Sequence, residues 1–358
     1  MKESDSIMNT VLKNDLELLI KDSSINWKKI DGHTFLITGS TGLVGSLIVR
    51  LFIQRNITRK ANINMVLIVR NIEKAQSIFG NLNIKYIETP VENYTPFVQQ
   101  IDYIIHAASP TRSRYLVSNP VETLNTQVMG TRNILEQAKI GNVKSVVYIS
   151  SMEMYGSLTE KNVTEKDLGY INPLNVRSSY SEGKRICELY CYSYYKEYNV
   201  PVKMVRLAQT FGPGILPNEN RVFKYFADCI ISSKDIVLKS SGQTIVNYSY
   251  TLDTLSGILT ILLKGLNGEA YNLVGEKTNM TILDSAKWLI EKYGNGENHV
   301  VFASENESDG YAPENHMVLN NDKICSLGWK PKYDLKHGYT KLIEYINKEN
   351  EQERTNNN

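Results

Sequence analysis

Tyr180 and Lys184 stand four residues apart in "SSYSEGKR", a spacing that puts both side chains on one face of a helix. A free phenol titrates near pH ~10 and is a poor base at neutrality. An adjacent ammonium favours the phenolate and brings that value down, so the pair suits removal of a proton from an alcohol, or its return. Upstream, the apolar run "VVYI" reads as a buried strand that ends in "SSMEMYG". Ser151 then sits at the strand end, placed to bond the hydroxyl on which Tyr180 acts. Glu153, two residues on, adds a carboxylate to the same turn. An isolated Glu is ordinarily a solvated loop residue; the company of Ser151, Tyr180 and Lys184 makes this one a candidate second acid/base.

Such a set needs a redox partner, and a glycine turn supplies the place for one. "FLITGSTGLVGSLIVRLF" carries Gly39, Gly42 and Gly45, with Thr41, Leu43 and Val44 between them, at a junction of strand and helix. This spacing lets the backbone turn tightly and approach a pyrophosphate, with a helix N-terminus aimed at its charge. The turn lies in the first strand–helix–strand unit, the context that gives the motif meaning. The next strand ends in Arg70 and Asn71, where an acidic residue would favour NAD; a guanidinium suits the 2′-phosphate of NADP. The reading is therefore NAD or NADP, with a lean to NADP.

Those motifs must be carried by alternating elements. The strand candidates are "TFLIT", "NMVLIV", "IKYI", "DYIIHAA", "SVVYIS" and "PVKMVRL", separated by amphipathic stretches such as "VETLNTQVMGTRNILEQAKI". Strands alternating with helices predict an α/β protein with a doubly wound parallel sheet covered on both faces. After "TFGPG" the pattern loosens, which fits a smaller mixed C-terminal substrate lobe. The expected division is a helical extension over 1–32, a dinucleotide domain over 33–207 and a substrate lobe over 208–350, with part of 236–264 returning to the first domain. The charged and polar tail, 351–358, is expected to fray.

Bulk numbers narrow the class further. The 358 residues carry 40 basic and 38 acidic side chains, a net charge of +2 with no basic stripe, so neither nucleic acid nor a membrane surface is an expected partner. The longest apolar runs are too short to span a bilayer, and "MKESDSIMNT" lacks a secretory pattern, which makes a cytoplasmic protein the expectation. Four cysteines suggest no disulfide framework. Cys187 and Cys191 lie one helical turn apart without a nearby histidine, so they read as packing residues, and no metal is expected.

Taken together, the chain resembles the extended short-chain dehydrogenase/reductase family of nucleotide-sugar epimerases, dehydratases and decarboxylases, its decarboxylases and 4,6-dehydratases most of all. The likeness runs from His33 to about Ile346 through "TGSTGLVG", "HAAS", "GTRNIL", "SSMEMYG", "YSEGK", "RLAQTFGPG", "YTLD", "GEAYNLVG" and "LGWKP". It implies a Rossmann-type NAD(P) domain whose cofactor also meets Ala107, Ala108 and Ser109. It implies a nucleotide-sugar substrate, met by Ser151, Met152, Gln209, Arg221 and Tyr225, and a homodimer formed through a helical bundle. It further implies a catalytic Ser–Tyr–Lys set, here Ser151, Tyr180 and Lys184. Many dehydratases and the decarboxylases add a Glu where Glu153 stands.

The chain departs from the family pattern on the substrate side. Gln127, Gln209 and Tyr225 stand where Asn is usual, and Val246 stands where an Arg commonly holds the nucleotide diphosphate; Arg221 or Lys224 could replace it. Three functions remain open at this point. The first is transient oxidation at C4 followed by decarboxylation, dehydration or epimerisation. The second is net reduction of a nucleotide-activated keto sugar or polyol precursor by NADPH, which Arg70 favours. The third is a dinucleotide-binding regulator without turnover.

Overall fold

The computed structural model describes residues 8–81, 83–158, 162–216, 219–303 and 316–356. Its main sheet is built from β1 (Thr34–Thr38), β2 (Asn64–Val69), β3 (Ile84–Glu88), β4 (Tyr103–His106), β5 (Ser145–Ile149), β6 (Val202–Leu207) and β7 (Ala270–Leu273). The strands are parallel, in the order β7-β6-β5-β4-β1-β2-β3. Order reverses between β1 and β4, the switch point where a doubly wound sheet opens a crevice beyond its carboxyl ends. The apolar runs form these strands because both faces are covered. Phe35, Val147 and Val205 enter one core, while Leu36, Val146 and Met204 enter the other.

Helices complete the two layers. The principal ones are α1 (Thr10–Ile20), α2 (Leu43–Arg59), α3 (Ile72–Phe79), α4 (Pro120–Gly141), α5 (Ser178–Tyr198), α6 (Val222–Ile231), α7 (Thr251–Lys264) and α8 (Leu335–Asn356). α4 and α5 pack on each other over one face; α2 and α7 cover the other, with α1 laid across them. Along α5 the buried stripe is Tyr180, Lys184, Cys187, Cys191 and Tyr194, the i, i+4, i+7, i+11 rhythm of a sheet-facing helix. Cys187 and Cys191 are buried free thiols in that stripe. After β6 the chain builds short paired strands, Gln209–Phe211 with Tyr248–Tyr250 and Ile236–Leu238 with Val300–Phe302. It then returns to the main body through α7, packed on β5 and β6, and through β7.

The two ends of the described chain are tied together. Asn9 donates to Tyr345 O (3.1 Å) and to Glu349 Oε1 (2.7 Å), and Tyr250 Oη donates to Asp15. The sequence reading expects residues 351–358 to fray. Instead α8 runs on to Asn356, with Lys348 and Glu351 paired at 2.6 Å one turn apart. Residues 1–7 and 357–358, parts of the expected extension and tail, lie outside the described residues. No described helix is long and apolar enough to cross a membrane.

A buried polar network holds the segment after β5. Ser150 Oγ donates to Glu188 Oε1 (2.6 Å), and Arg206 binds both oxygens of the same carboxylate at 2.8–3.1 Å. Arg206 also donates to Tyr155 Oη (3.0 Å), which donates to Asn272 Oδ1 (2.6 Å). One partner cannot be removed without stranding a charge. Glu188→Ala is expected to cost about 3–5 kcal/mol of stability, read as a lowered urea midpoint with an unchanged m-value.

Candidate active site

The turn after β1, the residues after β4 and the residues after β5 leave the parallel sheet on the same edge. Gly39 adopts φ +67°, and a Cβ there would lie 2.5 Å from Ala107 O and 2.7 Å from Ala108 N. A Cβ on Gly45 would lie 2.3 Å from Gly39 O. Side chains are therefore excluded where the turn meets β4 and where α2 meets the turn. Gly42 caps α2 without any side-chain hydrogen bond. The first N–H groups of α2 thus face the crevice uncapped, the arrangement that receives a phosphate. Thr41, Leu43 and Val44 line this turn half-buried. Across the switch point, Ala108 N–H donates to Thr38 Oγ1 (3.2 Å). These residues fit a dinucleotide.

At the outer edge Arg70 is exposed beyond β2. Asn71 is the N-cap of α3, its side chain accepting from Lys74 N (2.6 Å). The nearby carboxylate, Glu88, is engaged by the Ile72 N–H at 2.9 Å.

Beside the crevice the structure brings together Ser151, Glu153, Tyr180 and Lys184. Lys184 is 3% exposed; its Nζ donates to Ile149 O (2.7 Å) and lies 5.7 Å from the centroid of the Tyr180 ring. Ser151 Oγ accepts the Glu153 N–H (3.2 Å) and stands close enough to the Tyr180 phenol to favour its ionised form. The side chains alone do not acidify the phenol. Burial, with the Glu153 charge behind it, holds Tyr180 above the ordinary phenol range; Ser151, Arg177 and Arg221 act in the opposite sense. Burial also brings the Lys184 ammonium down to about 8. Desolvation disfavours both charged forms and outweighs the pairing that the spacing suggests.

One residue of this site, Arg177, escapes a reading by motif, and another, Gln127, shows there only as a departure. Arg177 binds Glu153 Oε2 (2.8 Å) and stands 5.6 Å from the Tyr180 ring centroid, and its Nη1 is buried with no partner among the described residues. Its position three residues before Tyr180 was the available signal. Gln127, which replaces the usual Asn, donates from Nε2 to Ser109 Oγ (3.0 Å) and to Tyr180 O (3.4 Å). It ties the end of β4 to α5, and Gly183 makes room, since a Cβ there would lie 1.8 Å from Gln127 Oε1.

The remaining substrate candidates are mostly engaged within the chain. Arg221 clamps Glu219, with Nε to Oε1 at 2.9 Å, yet its charge reaches Tyr180 and Tyr248. Lys224 pairs with Asp228. Tyr225 Oη accepts the Val237 N–H (3.0 Å), and Val246 is a buried apolar residue paired with Met280. Gln209 is half-buried, and its Oε1 has no partner among the described residues. Met152 packs against the small core around Met154 and Leu158.

Sheet order, glycine cradle and the Ser–Tyr–Lys cluster define a Rossmann-type fold with the site of a dinucleotide-dependent enzyme class. Residues 35–274 match the NAD dependent epimerase/dehydratase family, and the chain belongs to it. It is 29% identical over 327 residues to UDP-glucuronic acid decarboxylase 1 of Xenopus tropicalis, covering 91% of this chain and 75% of that one. It is 26% identical over 318 residues to human dTDP-D-glucose 4,6-dehydratase, covering 87% and 89% respectively. Among solved structures it resembles a UDP-glucuronic acid 4-epimerase from Bacillus cereus, in complex with UDP-glucuronic acid and NAD, with a TM-score of 0.73 at 22% identity over 88% of this chain and 99% of that one.

The close approach at Gly39 yields a direct test. Gly39→Ala must open the gap to Ala107, and its affinity for NAD+ or NADP+ is expected to fall at least ~10-fold, about 1.4 kcal/mol, by isothermal titration calorimetry.

Proposed function

We propose that the protein is an NAD(P)-dependent enzyme that modifies a nucleotide sugar, oxidising C4 transiently and then removing CO2 or water or inverting a centre. The observation that carries this reading is the meeting of Ser151, Glu153, Tyr180 and Lys184 beside the crevice opened by Gly39, Gly42 and Gly45. The cradle at Gly39, Gly42 and Gly45 would hold an oxidised dinucleotide, which would supply the acceptor for the C4 hydride and a positive ring favouring the phenolate. Tyr180, with Ser151 fixing the sugar hydroxyl, takes the C4 hydroxyl proton. Lys184 holds the adjoining ribose and keeps α5 seated on β5. The resulting ketone acidifies the neighbouring C–H and stabilises charge left by a departing carboxylate. Glu153, oriented by Arg177, moves a proton or orients the sugar in that second step. Arg221 takes the place of the missing diphosphate Arg, and Gln209 faces the nucleotide sugar.

Arg70 supports the finer reading that NADP is preferred. It stands exposed at the ribose end of β2, while Glu88, the carboxylate nearby, is occupied by the Ile72 N–H. The same residue favours the second reading, stoichiometric reduction of a nucleotide-activated keto sugar by NADPH. A homodimer is also proposed. α4 and α5, packed together, leave Val121, Met129, Ile186 and Leu189 exposed on their outer faces, a surface that a second copy would cover.

A panel of UDP- and dTDP-sugars with NAD+, NADP+ or NADPH, read by mass spectrometry, tests the reading. Loss of CO2 or water, or isomerisation, with catalytic cofactor supports it; a product gaining two hydrogens with stoichiometric NADPH replaces it by the second. Tyr180→Phe is expected to lower turnover by about 10³-fold while dinucleotide affinity, measured by calorimetry, is retained. Glu153→Gln should slow the step after oxidation more than the oxidation itself, so that a keto sugar accumulates in single-turnover traces.

A further inference from the structure

At the edge of the sheet opposite the active-site crevice lies a cavity of about 440 Å³, walled by Lys28, Lys29, His33, Tyr103, Lys144, Ser145, Lys203, Leu262 and Leu263. Its chemistry is one-sided. It holds four lysines and a histidine, and among the described residues no carboxylate lines it, Asp102 standing behind Lys144 and His33. Lys144 is shared with Asp102, 2.9 Å away. Lys28, Lys29 and Lys203 have no carboxylate within ion-pair distance among the described residues.

Lys203 is the unusual member. It lies on β6, 4% exposed, with Nζ donating to Ser145 Oγ (2.7 Å) and Pro201 O (3.2 Å). A strand position buried on both faces is ordinarily apolar, and a buried ammonium without a counter-charge is costly. Burial lowers its proton affinity to about 8. The C-terminal end of α7 beside it, where Leu262 O accepts Ser145 Oγ (2.8 Å), offers only the partial negative charge of a helix terminus. An anion in the cavity would give Lys203 the missing counter-charge. It would also meet the exposed ammonium groups of Lys28 and Lys29 at the mouth. Leu263 and the edge-to-face His33–Tyr103 pair, 5.6 Å between centroids, offer an apolar wall to whatever carries the charge.

We propose that this cavity is a second binding site, for a small phosphorylated anion, with Lys203 at its base and Lys28 and Lys29 at its mouth. The site is separate from the dinucleotide crevice because it opens on the amino ends of β5 and β6, whereas Ser151 and Gln209 follow their carboxyl ends. Occupancy would therefore leave the crevice free. The inference does not rest on the proposed reaction.

The test uses the full chain saturated with NAD+, so that the glycine turn is filled. Inorganic pyrophosphate and a simple sugar phosphate are titrated by calorimetry and by thermal unfolding, against sodium chloride at matched ionic strength. The expected result is saturable binding and a raised unfolding temperature, with affinity falling at least ~10-fold in Lys28→Glu/Lys29→Glu. That double variant is exposed and remote from the crevice, so unchanged NAD+ affinity certifies its fold. Lys203→Met should lose the pyrophosphate-dependent rise in unfolding temperature as well. Tighter binding of the sugar phosphate assigns the site to phosphate esters; tighter binding of pyrophosphate assigns it to the inorganic anion. The proposal is overturned if the wild type shows no saturable binding, if sodium chloride reproduces the thermal shift, or if the double variant binds as tightly as the wild type.

Discussion

A buried ammonium fixes the relation of α5 to the end of β5. Lys184 donates to Ile149 O, and one turn later Glu188 accepts from Ser150 Oγ. Adjacent residues at the strand end are thus gripped by side chains four apart on one helix, which sets both the rotation and the register of α5. Tyr180, one turn before Lys184, then has no choice but to face Ser151. The cost of burying these charges is offset by Arg206 on the Glu188 side and by a backbone carbonyl on the Lys184 side. Geometry for chemistry and packing of the core use the same stripe, because Cys187 and Cys191 continue it into the second core.

Burial has a further consequence for the chemistry. A phenol sealed against the sheet resists ionisation, and burial lowers the proton affinity of the lysine below it. The phenol lies between Ser151, Arg177 and the Glu153 carboxylate, where added positive charge would favour loss of its proton. Arg177 bears directly on that balance, since it both neutralises Glu153 and faces the ring.

Much of this was legible in the sequence because the signals were local. The apolar runs that become β1 to β6 are bounded by turn residues, and the glycine spacing and the Tyr180–Lys184 spacing lie within single elements. Features that join distant elements left no comparable trace. The Arg177–Glu153 pair crosses 24 residues, and nothing in either neighbourhood announces the other. Gln127 looked like a departure from pattern, yet its amide reaches both Ser109 and Tyr180 because Gly183 clears the space. Charge spacing suggested that Lys184 lowers the phenol pKa, and desolvation, which depends on the assembled core, acts in the opposite sense. The polar composition of 351–356 suggested fraying, but the helix begun at Leu335 simply continues.

The stitch between α1 and α8 bears on how the chain comes together during synthesis. Asn9 finds Tyr345 across 336 positions, and Asp15 finds Tyr250 across 235. α2 covers part of the apolar face of α1 soon after both emerge, but the partners on α7, α8 and the strand before α7 arrive 235 to 336 positions later. Closing so long a loop is entropically slow. Full docking of α1 therefore waits for α7 and α8, and the uncovered part of its apolar face stays open until they are made.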